Sequence, residues 1–156
     1  MNGVKTLPHG QNNLNNMELT SKKVNVKASD SFIFNMLINC NNIEKYIPND
    51  KIQNWQSAQD HCSFSVEGVG KIEMSLQEKM PFNSVSYSVG NSIVKSAFII
   101  FSINKIEGKE DVCDFVATAN LDVPFFMAQM VKPSLQRFLD MLVDYIKTAA
   151  EKAFVS

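Results

Sequence analysis

Arginine is almost absent. Of 15 basic residues only Arg137 is Arg, and histidine occurs twice. Recognition of phosphate or guanine leans on the planar, bidentate guanidinium fork, so such recognition has almost nothing to work with here. The formal charge of −1, from 16 acids and 15 bases, also removes the basic excess that drives binding to a nucleic-acid backbone. Long apolar runs are missing too. The longest, Ala97 to Phe101, is far short of the roughly 20 residues a membrane span needs. Cysteine is scarce, with Cys40, Cys62 and Cys113 widely spaced and no CxxC. That argues against a disulfide framework or a zinc site and for free, buried thiols in a reducing cytoplasm. Residues 1–16 have one Lys and no apolar h-region, so they do not read as a secretory signal. What the chain does have is phenylalanine (11) and methionine (8), in 156 residues that leave room for one domain with a real core.

The organisation follows from pattern. Residues 1–16, with six Asn or Gln, two Gly and one Pro, bury too little to offset their ordering entropy and are expected to form a flexible tail. A half-buried strand is expected over Met17 to Lys27, on Leu19, Val24 and Val26. Ser29 then suits an N-cap, Asp30 the first turn, and Phe32, Ile33, Met36 and Leu37 follow at helical spacing. The Asn39 to Asn42 cluster is expected to break that helix, with a short second one over Ile43 to Ile47 before Pro48. From there to residue 124 the texture is period-two. Cys62, Phe64 and Val66 alternate with polar residues, as do Ile72, Met74 and Leu76, then Val85, Tyr87 and Val89, then Cys113, Phe115, Ala117, Ala119 and Leu121. Turn residues bound each run, which predicts an antiparallel meander. Residues 125–153 predict one long amphipathic helix, its stripe including Met127, Met130, Val131, Leu135, Phe138, Leu142 and Ile146, with Pro133 inside.

An antiparallel sheet with one solvated face must cover the other, and the last helix is the only cover long enough. The fold class is therefore α+β, with a curved sheet of about six to seven strands, two short helices after the first strand and a long C-terminal helix. With Ile43-Glu44-Lys45 leading into Ile47-Pro48-Asn49-Asp50-Lys51-Ile52, then Cys62 to Val66, Val69-Gly70-Lys71 and Lys132-Pro133, the chain from residue 17 onward resembles the START-like (SRPBCC) superfamily. That superfamily includes Bet v 1-like and polyketide cyclase-like proteins, and the motifs are similar to a small bacterial group within it. The resemblance implies a helix-grip fold, with the sheet around the helix and a sheltered cavity. It does not imply a reaction, since the fold hosts carriers, enzymes and adaptors alike.

Alternation and the helical stripe together name an inward wall of Phe64, Val66, Met74, Leu76, Tyr87, Ile99, Phe101, Phe115, Ala117, Met127, Met130, Val131 and Phe138. Aromatic and thioether walls with few polar groups suit a small apolar ligand, although the same residues could also pack as a dry core. Binding of a lipid, quinone or polyketide-like molecule, without chemistry, is the expected function. His61, Glu73 and Asp114 fall on outward parity, so no catalytic constellation, cofactor or metal is expected. A cyclase- or dehydratase-like enzyme relying on Tyr87 and an adaptor with a filled core are the alternatives. Trp55 has no clean parity and suits rim packing or ligand stacking equally. Phe98, Ile100 and Val116 are expected on the outer sheet face, where they could form a homodimer patch.

Overall fold

The computed structural model describes residues 14–44, 50, 52–68, 70–90 and 96–155. Among the described residues eight strands and three α-helices follow in order: β1 (Leu14–Thr20), β2 (Val24–Val26), α1 (Asp30–Leu37), α2 (Cys40–Glu44), β3 (Ile52–Ser57), β4 (His61–Val66), β5 (Gly70–Met80), β6 (Ser84–Gly90), β7 (Ser96–Lys105), β8 (Cys113–Pro124) and α3 (Ala128–Phe154). One antiparallel sheet runs β1-β8-β7-β6-β5-β4-β3, with β2 also paired to β8. The meander from β3 to β8 pairs each strand with the next because the intervening turns are too short for crossovers.

Three expectations at the start of the chain need correction. Of the expected tail, residues 1–13 lie outside the described residues, while Leu14, Asn15 and Asn16 pair with Pro124, Val123 and Asp122 as strand. Polar composition did not prevent pairing, because an edge strand draws its stability from the ladder rather than from burial of every side chain. The single strand expected over Met17 to Lys27 is two. Ser21 separates them: its N–H donates to the Ala117 carbonyl (2.8 Å) and its Oγ accepts from the Ala117 N–H (2.9 Å). The second helix starts at Cys40, not Ile43. The first helix ends at Leu37, before the Asn cluster as expected, and Asn39 also opens the second, its Oδ1 accepting from the Asn41 N–H (3.0 Å). The rest of that expected helix, 45–47, lies outside the described residues. Ser29 caps α1 as expected, its Oγ accepting from the Phe32 N–H.

The inner sheet face, α1 and the buried side of α3 make one core. α3 packs most closely against β8, β2, β1 and α1. Polar ties reinforce that side. Gln136 donates to the Thr20 carbonyl, Asp140 accepts from the Lys22 N–H, Asp144 pairs with Lys22 at 2.7 Å, and Lys147 reaches the Asn25 carbonyl. Glu151 accepts from both Lys147 and the Lys27 N–H. Among the described residues all these ties to β1 and β2 run from residue 136 onward. The last five turns of α3 are stitched to the sheet edge, and none of these ties starts from its first two turns.

Candidate ligand site between sheet and helix

On the far side of the sheet, β3 and β4, the helix is reached by large side chains rather than by close backbone approach. Trp55 stacks on Phe64, with ring centroids 5.1 Å apart and planes at 16°, and Phe64 stacks in turn on Phe138 of α3 at 6.2 Å and 25°. Trp55 owes its place to a bulge. Between Gln53↔Ser65 and Gln56↔Ser63, β3 spends one residue more than β4. Asn54 absorbs it at φ +59°, a left-handed conformation that Asn tolerates better than most residues. The extra residue flips the parity, so Ile52 and Trp55 both face the core, three positions apart. This is why plain alternation could not place Trp55.

The Trp55 indole N–H is buried with no hydrogen-bond partner among the described residues. An orphaned buried donor costs about 1–3 kcal/mol. It sits at the end of an aromatic wall otherwise made of carbon and sulfur. A carbonyl, hydroxyl or ether oxygen on an apolar molecule would satisfy it.

Tyr87 has a different employment. Its hydroxyl donates to the Leu37 carbonyl at the end of α1 and accepts from the Cys40 thiol at 3.5 Å. Burial, then the Cys40 contact, pushes the phenol pKa up. The Cys62 thiol lies beside Cys40. Its S–H draws the Cys40 thiol down, and the same contact together with burial pushes Cys62 up. This small polar chain fastens α1 and α2 to the inner face of the sheet. Tyr87→Phe is expected to cost about 1–3 kcal/mol in urea denaturation, because the Leu37 carbonyl loses its buried donor. An unchanged midpoint would return Tyr87 to the ligand.

Solved structures match this arrangement in shape, although no family model and no curated protein matches the sequence. Norcoclaurine synthase from Thalictrum flavum, in complex with dopamine and hydroxybenzaldehyde, superposes with a TM-score of 0.71 at 10% identity, covering 99% of this chain and 96% of its own. The protein XoxI from Bacillus cereus gives 0.63 at 11%, over 89% and 96%. A START superfamily protein from Mycobacterium smegmatis gives 0.59 at 13%, over 88% and 96%. The chain shares the helix-grip fold of these structures. At such identities the likeness carries the fold alone, and the ligands of norcoclaurine synthase are that enzyme's own.

Within the helix grip, the expected wall divides. Phe64, Val66, Met74, Tyr87, Ile99, Phe101, Phe115, Ala117 and Phe138 are buried, and Leu76, Met127 and Val131 are half-buried. Phe101 stacks on Phe115 at 5.9 Å and meets Tyr87 edge-on at 6.1 Å. That half of the wall is core in mutual contact. Met130 is a correction: it is 72% exposed. At about 100° per residue it lies roughly 100° around the helix from the stripe through Val131, Leu135, Phe138 and Leu142. Among the described residues beyond the expected wall, Trp55 carries a buried polar group without a partner, and the bulge that aims it is invisible to a period-two reading.

The outer face carries Phe98, Ile100 and Val116 as expected. Phe98 is 44% exposed and the other two are half-buried. A groove of about 350 Å³ beside them is lined by Gln77, Glu78, Ser84, Ser86, Phe98 and Ile100. His61 is exposed and pairs only with Asp60, at 3.2 Å, and Glu73 is exposed as well. Among the described residues no helix is long and apolar enough to cross a membrane.

Proposed function

We propose that the protein binds a small apolar or amphipathic molecule, such as a lipid, quinone or polyketide-like compound, beside Trp55, between the β3–β4 side of the sheet and the first turns of α3. The buried, unpartnered Trp55 N–H carries this reading, because an acceptor oxygen on the ligand would recover its hydrogen bond. The ties that hold α3 from Gln136 onward support it. They leave the first turns free to lift about Pro133, where the ring removes one helical hydrogen bond. The ligand is held by apolar packing and one hydrogen bond, a combination that binds and orients without proton transfer.

Native mass spectrometry of gently purified protein, with solvent extraction of the same sample, tests this. An added mass of a few hundred daltons is expected, recovered in the organic phase as an oxygen-bearing apolar compound. A sample that is always empty, with a melting temperature indifferent to a lipid and quinone library, would count against it. The outer face at Phe98, Ile100 and Val116 is the proposed homodimer surface, and the same spectra read it as a doubled mass. The proposed setting is the cytoplasm, which suits three buried cysteines without disulfides.

A further inference from the structure

Apart from Val155 at the far end of α3, the most exposed large apolar side chains among the described residues cluster at one place. Phe125 is 68% exposed, Phe126 78% and Met130 72%, all within the turn that joins β8 to α3 and the first turn of the helix. Pro133 and Arg137 continue the outward stripe at i+3 and i+7 from Met130, and both are exposed. Lys132, also exposed, flanks it. Opposite to this stripe, Val131 and Leu135 of the same turns pack against the core. The helix start therefore has two apolar faces, and core packing explains only one.

Charge decides what the second face fits. From Val123 to Leu139 the only charged residues are Lys132 and Arg137, with no Asp or Glu. β1 pairs Leu14 with Pro124, directly beside the ridge. In a chain of 16 acids and 15 bases, the charge within this segment is of one sign. We infer that the ridge Phe125, Phe126 and Met130, rimmed by Lys132 and Arg137, docks the protein on an anionic lipid bilayer. The rings enter the region between headgroups and acyl chains, and the cations stay at the phosphates. Side chains that project this far offer little of the recessed, complementary surface in which protein partners seat their anchors. The inference stands apart from the ligand beside Trp55.

Co-sedimentation of the full chain with vesicles tests it. The vesicles are roughly 3:1 phosphatidylcholine to phosphatidylserine, compared with phosphatidylcholine alone. Binding to the mixed vesicles is expected, weakened by added salt, and reduced about tenfold or more in the Phe126→Ser, Met130→Ser double variant. Both side chains are largely exposed, so the variant is expected to melt like the wild type. Phe126→Trp is expected to gain a blue-shifted emission on adding mixed vesicles, which a structural role would not produce. Absent sedimentation, or sedimentation unchanged in the double variant, would overturn the inference. So would a dimer that the double variant dissociates, since the ridge would then belong to a second copy.

Discussion

Phe138→Ala is expected to destabilise the protein by about 3–5 kcal/mol, the usual range for truncating a buried aromatic. Phe138 is 4% exposed and is the helix's half of the stack that reaches Phe64 and, through it, Trp55. Its loss leaves a ring-sized void between α3 and β4, where Phe138 meets Phe64, and the ties from Gln136 onward hold the helix too firmly for it to collapse inward. The cost therefore includes both the lost transfer energy and the cavity. Urea denaturation reads it directly. A Phe138→Leu control, which refills much of the volume, is expected to recover more than half of the loss. A change below about 1 kcal/mol for Phe138→Ala would mean that the stack does not hold the grip closed.

Trp55→Phe separates binding from stability. The ring keeps its stack on Phe64 but loses the indole N–H. Two effects oppose each other in the unliganded protein: lost apolar area destabilises, while removal of an unsatisfied buried donor stabilises. Stability is expected to stay within about 1 kcal/mol of wild type. Ligand retention is another matter. One buried hydrogen bond of about 1–3 kcal/mol corresponds to roughly a tenfold to hundredfold loss of affinity. Native mass spectra of the variant are expected to show mostly empty protein. A variant as fully loaded as the wild type would leave the indole N–H without a role in binding.

The fold was legible because its signals are local and redundant. Alternation along β4, β5, β6 and β8, the Ser29 cap on α1 and the long stripe on α3 each follow from a period or a single side chain. The site was legible only in part. Phe64 and Phe138 lie on regular periods and were placed correctly. Trp55 was not placed, because the Asn54 bulge shifts parity and a bulge has no periodic signature. Met130 was placed inward because a stripe stepped in threes and fours drifts around the helix when one member sits at its edge. The Tyr87 to Leu37 bond spans 50 residues, and no local pattern announces which hydroxyl meets which carbonyl. Leu14 to Asn16, at the end of the Asn-rich start, pair with β8, and composition does not reveal such pairing.

The most direct measurement is a crystal structure of protein purified without denaturant, read at Trp55 Nε1. Elongated density beside the Trp55–Phe64–Phe138 stack is expected, with an acceptor oxygen within about 3 Å of the indole nitrogen. A side chain or backbone carbonyl of the chain itself on that nitrogen, with the space around the stack filled by protein, would contradict a ligand site and leave a packed helix grip.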